Sequence, residues 1–124
     1  MTQPLALVLY ERLLPGSQLV NRLQDLNYRV QNLSQPEQLV EAALQAKPLI
    51  VLADLEPAPP RVLAAVGRLK QNPATQHLPV IAFAGDQAGD RKAEAASAGV
   101  TLLVSDNAIL NYLPQLLDQA LQLD

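Results

Sequence analysis

Leu49-Ile50-Val51-Leu52-Ala53-Asp54 is the stretch that decides the fold. Five apolar residues follow one another with no polar position between them, and an acid ends the run. A strand with one wet face would alternate apolar and polar residues. An unbroken run of this length predicts a strand buried on both faces, as in a parallel sheet covered by helices. Beyond Asp54, the prolines at positions 57, 59 and 60 predict an irregular loop. Each lacks an amide donor and restricts the residue before it.

Working outward, similar apolar runs recur at Leu5–Leu9, Val80–Ala84 and Val100–Val104, with a weaker strand at Tyr28–Leu33. Amphipathic stretches fill the gaps. Ser17–Leu26 places Leu19, Val20, Leu23 and Leu26 at helical spacing. Ser34 followed by Glu37 has the spacing of a capping box and predicts a helix with Leu39, Val40, Ala43 and Leu44 on one face. Val62, Leu63, Val66 and Leu69 form a third stripe. Asp86–Ala98 is an alanine-rich helix closed by Gly99, and Leu113–Leu123 is a last helix with Pro114 in its first turn. Five strands alternating with five helices predict an α/β fold: a (βα)5 flavodoxin-like three-layer sandwich with parallel strand order 2-1-3-4-5. The expected organisation is one domain over residues 1–124.

Composition narrows the function. The chain has 124 residues, 49 % of them apolar, which is enough for one real core and excludes intrinsic disorder. No run approaches the length of a membrane span. A net charge of −3, with nine scattered Lys and Arg, argues against a nucleic-acid surface. The absence of cysteine removes thiol chemistry and thiolate metal sites, and a single histidine excludes a His-rich zinc site. The first residues lack the basic and small-residue features of a signal peptide, so a cytoplasmic location is expected.

In a sheet of this order, sites form at the carboxyl ends of the strands near the switch point. That places Tyr10, Glu11 and Arg12 after strand one, Asp54 after strand three, Ala84 at the end of strand four, and Ser105, Asp106 and Asn107 after strand five. Glu11, Asp54 and Asp106 are expected at one edge, with Asp86 near. Grouped carboxylates share a proton or take a divalent cation. Asp86, Asp90 and Asp106 also suit helix caps. Asp54 does not, because it ends a buried strand ahead of a proline loop. Leu14-Pro15-Gly16-Ser17, with a single glycine, gives no phosphate-binding loop. His77 reads as a surface-loop residue, and Gln115, Gln119 and Gln122 as a solvated helix face.

Pro48-Leu49-Ile50-Val51-Leu52-Ala53-Asp54-Leu55 resembles the third strand and phospho-accepting aspartate of the bacterial response-regulator receiver family (CheY-like). Arg68-Leu69-Lys70-Gln71-Asn72-Pro73-Ala74-Thr75-Gln76-His77-Leu78-Pro79-Val80-Ile81 is similar to the family's passage from helix three into strand four. Ala98-Gly99 before strand five fits as well, so the likeness spans essentially the whole chain.

The resemblance also implies which site residues have departed. The family uses an acidic pair after strand one, the aspartate, a hydroxyl ending strand four and a lysine ending strand five. Here Tyr10 stands in the first acidic position and Glu11 in the second, and Asp54 is kept. Ala84 stands in the hydroxyl position, Asp106 in that of the lysine, Asn107 where the family usually has proline, and Leu103 in that of the switch aromatic. The proline after the aspartate is shifted to Pro57. Tyr10 removes a Mg2+ ligand and adds bulk, while Asp106 reverses a charge that would meet the phosphoryl oxygens. One charge at about 4 Å is worth about 4 kcal/mol at an effective dielectric near 20. The expected protein is a degenerate pseudo-receiver. It would be a non-enzymatic, phosphorylation-independent interaction or regulatory module of two-component-type signalling, with no cofactor or metal. The alternative is an atypical phospho-acceptor using Asp54 with Glu11 and Mg2+. Expected partners are a signalling protein such as a histidine kinase or another domain of a parent protein, with no nucleic acid or membrane, and a homodimer as a further option. The candidate interaction face carries Leu103, Ile109, Leu110 and Tyr112 beside a smooth helix of Ala93, Ala95 and Ala96. The alternative, which the apolar character of the residues favours, is that Ile109, Leu110 and Tyr112 cap the core.

Overall fold

Leu7 and Leu9 lie in one of two buried clusters, while Ala6 and Val8 lie in the other. That two-residue alternation organises the whole molecule. The computed structural model describes residues 4–56, 59–85 and 92–122. Strands β1 (Leu5–Leu9), β2 (Arg29–Leu33), β3 (Ile50–Asp54), β4 (Val80–Ala84) and β5 (Leu102–Ser105) form one parallel sheet of order β2-β1-β3-β4-β5. The expected topology is the observed one. No helix among the described residues is long and apolar enough to cross a membrane.

One layer holds α2 (Leu39–Ala46), α3 (Pro59–Gln71) and α4 (Lys92–Ala98); the other holds α1 (Leu13–Asp25), α5 (Asp106–Asn111) and α6 (Leu113–Gln122). Leu39, Val62, Val66 and Leu69 close over Leu7, Val51 and Val80 on the first side. Leu19, Leu23, Ile109 and Leu117 close over Val8, Leu52 and Phe83 on the second. All five residues of β3 and of β4 are buried, as continuous apolar runs require. β5 is only half-buried along its length, against the expectation of full burial, because this order leaves it at the sheet edge.

Other elements differ for local reasons. Ser34 does not cap a helix: a 3-10 turn at Pro36–Gln38 precedes α2, with Gln35 at its N-cap position and no side-chain cap bond. Proline at the first position fixes the entry, and Glu37 turns outward to pair with Arg61 at 2.7 Å. Pro59 and Pro60 do not extend the irregular loop. They open α3, where a missing amide costs nothing because first-turn donors have no partner within the helix. The helix expected at Leu113–Leu123 is preceded by the separate short α5, and Tyr112 stands between the two. Gly99 closes α4 at φ +102°; the Gly99 amide donates to Ala96 O and the Val100 amide to Ala95 O. The expected start of that helix, with Asp86 and Asp90, lies outside the described residues, as does Pro57.

Candidate functional site

The carboxyl ends of β1, β3 and β5 converge on Arg12. This residue sits just before α1 in extended conformation, and its guanidinium reaches across the sheet edge. Nε donates to Asp54 Oδ2 at 2.9 Å, and Nη2 donates to Asp54 Oδ1 at 2.7 Å. On its other edge, Nη1 and Nη2 donate to Asp106 Oδ2 and Oδ1, both at 3.0 Å. One planar fork holds two carboxylates, the geometry arginine supplies and lysine cannot.

Asp54 is 1 % exposed, and its Oδ1 also accepts from the Glu56 amide at 3.0 Å. Burial pushes its carboxyl above the ordinary value, and the Arg12 hydrogen bonds pull it back. Arg12 is held protonated more firmly than usual, chiefly through its bond to Asp54, against the cost of its own burial. Removing Arg12 would leave Asp54 as an uncompensated buried charge, at a cost of about 3–5 kcal/mol.

Asp106 begins α5, but Ser105 is the cap: its Oγ accepts from the Ala108 amide at 3.1 Å. Freed from capping, Asp106 turns to Arg12. Its charge is therefore compensated, and repulsion from Asp106 alone does not describe the site. Glu56 completes the rim, where its Oε2 accepts from the Gly85 amide at 3.3 Å.

Of the three carboxylates expected at one edge, Asp54 and Asp106 meet on Arg12, and Glu11 lines the cleft beside Asp54 without joining that pair. Glu11 is exposed, and no cluster of three or more His, Cys, Asp or Glu able to hold a metal occurs among the described residues. Tyr10 adds its bulk on the α1 side: a Cβ placed on Gly16 would meet Tyr10 Cδ2 at 2.1 Å. The cleft beside Asp54, between Tyr10, Glu11, Ser34 and Glu56, has a volume of about 10 Å³. That is about the space of one water. Ala84 is buried on the α3 side, and its side chain offers no polar atom. The Mg2+ ion that the resemblance implies does not fit this donor set, because a guanidinium already engages both oxygens of Asp54.

Of the candidate interaction residues, Ile109 is completely buried under the sheet and belongs to the core. Leu103 packs partly against the α2–α4 side and Leu110 against the α1–α6 side, while Tyr112 is 59 % exposed. Ala93 and Ala96 are exposed and Ala95 is buried, so α4 does present small residues to solvent. Gln115, Gln119 and His77 are exposed as expected.

No family model and no curated protein matches the chain. Solved structures do match it. A candidate response regulator from Chloroflexus aurantiacus superposes with a TM-score of 0.88 at 16 % identity, covering 98 % of this chain and 99 % of that one. The fold is that of a receiver domain. A response regulator from Thermotoga maritima gives 0.81 at 15 % identity over 98 % and 99 % of the two chains. The chemotaxis response regulator CheY4 of Vibrio cholerae gives 0.77 at 16 % over 92 % and 98 %. Within this receiver fold, the sequence missed the role of Arg12. The signal was present, as a lone arginine beside the switch point whose strand ends carry two acids. It was hidden because the partners lie 42 and 94 residues away.

Proposed function

We propose that this chain is a receiver-fold signalling module that works without aspartyl phosphorylation, through protein interaction. The observation that carries the reading is the Arg12 fork on both oxygens of Asp54, the residue at the acceptor position. A carboxylate so engaged is a poor nucleophile toward a phosphoryl group. The cation that would offset phosphoryl charge meets Arg12 instead. Ala84 and Asp106 at the hydroxyl and lysine positions point the same way. The fold supports a partner drawn from two-component-type signalling, such as a histidine kinase or another domain of a parent protein. The exposed Tyr112, beside the partly buried Leu110 on the α1–α6 side, supplies the candidate contact surface, while Leu103 lies on the opposite side of the sheet.

Titration with Mg2+ and beryllofluoride, followed by amide NMR, tests this. The expected result is no saturable shift clustered at Asp54. Saturable shifts there that propagate into β5 would overturn the reading in favour of a phospho-acceptor using Asp54, Glu11 and Mg2+.

A further inference from the structure

In a phosphorylation-independent module, something other than a phosphoryl group must set the conformation at the sheet edge. We propose that Arg12 is that device: a tethered cation that latches the start of α5 to the end of β3. The inference rests on the reading above for its regulatory meaning, though the latch itself stands on geometry. Asp54 ends a fully buried strand, so it is a fixed anchor. Arg12 is bound to that anchor through two bonds and has a further pair left for Asp106. Asp106 is the first residue of a helix only six residues long, which is too short to persist on local bonds alone. This helix is held by the Ser105 cap, by Ile109 and Leu110 packed against the α1–α6 cluster, and by the Arg12 pair, which is its one charge-assisted attachment at the first residue. The Tyr112 amide, bonded to Ala108 O at 2.9 Å, closes the same helix and precedes the exposed Tyr112 ring. The latch therefore reaches from the former acceptor position to the candidate contact residue through six residues of chain. The guanidinium sits between the two carboxylates and is tethered to the chain, so it cannot diffuse away.

Asp106→Asn tests the latch without disturbing the anchor, because the buried Asp54 keeps both of its bonds to Arg12. Amide hydrogen exchange across residues 106–112 is compared in wild type, Asp106→Asn, Arg12→Gln and the double variant. The expected result is exchange about tenfold faster at the Tyr112 amide in Asp106→Asn, from loss of a charge-assisted pair, with β3 and β4 amides unchanged. Adding Asp106→Asn to Arg12→Gln should then bring little further change at Tyr112. Wild-type exchange at Tyr112 in Asp106→Asn, or fully additive effects in the double variant, would overturn the latch. Phosphorylation of Asp54 would instead sink the proposed function, and it is read by the separate beryllofluoride titration.

Discussion

Asp54 Oδ1 and Asp106 Oδ1 accept hydrogen bonds from the same nitrogen, Arg12 Nη2, at 2.7 and 3.0 Å. Two carboxylates this close would repel if bare. With the guanidinium between them these three side chains carry one net negative charge, and most of the cost of burying it falls on Asp54. The acid that opens α5 and the arginine before α1 are thus parts of one arrangement.

Asp54 yields a pH prediction. Burial raises its folded-state value above the ordinary 3.8, with Arg12 and the Glu56 amide opposing. Between 3.8 and the raised value the folded protein binds more protons than the unfolded chain, so stability falls as pH rises through that window. The contribution is fully present below 3.8 and lost above the folded value. Urea unfolding of wild type and Asp54→Asn in matched buffers isolates it, since the other carboxylates cancel. The wild-type advantage is expected to shrink with rising pH, and an advantage that grows would show the folded value lies below 3.8.

Tyr10 and Gly16 are matched to each other. A methyl at Gly16 would fall 2.1 Å from Tyr10 Cδ2 and 2.6 Å from Cγ, so the ring must leave. Gly16→Ala is expected to destabilise by about 1–3 kcal/mol through overpacking, in spite of alanine's better helix propensity. In a Tyr10→Ala background the same change should be neutral or stabilising. Chemical denaturation of the four proteins gives the coupling directly, and additive effects would rule the contact out.

Legibility in the sequence followed the range of the interaction. Ile50–Asp54 and Val80–Ala84 could be read within one residue because strands buried on both faces favour unbroken apolar runs, although Leu49, the first apolar residue of its run, lies before β3 and is exposed. Gly99 could be read because only one residue type adopts φ +102° without strain. The Asp106 cap was misread because Ser105, one residue earlier, offers the same chemistry, and only the Arg12 contact decides between them. Ile109 and Tyr112 look alike as apolar residues near a helix start. The turn of α5 sends one into the core and the other to solvent. None of these long-range choices leaves a local pattern.

Thr75 has a structural role of its own: it is 1 % exposed, and its hydroxyl donates to Leu69 O at 2.6 Å. That carbonyl belongs to the last turn of α3, where acceptors lack helical partners. Thr75→Val keeps the shape and removes the donor, which leaves a buried acceptor unpaired. A loss of about 1–3 kcal/mol is expected in urea unfolding. Thr75→Ser should retain most of the stability, and equal losses in both variants would assign the effect to packing rather than to the bond.

Ser34 and Glu37 separate capping from pairing at the entry to α2. A true cap would cost about 1 kcal/mol on replacement by alanine. Ser34 makes no cap bond, so Ser34→Ala is expected to stay within about 0.5 kcal/mol of wild type. Glu37 instead holds Arg61 through a fork with bonds of 3.0 and 2.7 Å, and that pair pulls its carboxyl below the ordinary range. Both side chains are about half exposed, so the pair is screened by salt and worth little. A double-mutant cycle on Glu37→Gln and Arg61→Gln should show a small coupling at low salt that fades at high salt. A large Ser34→Ala loss with no Glu37–Arg61 coupling would restore the capping box that the sequence suggests.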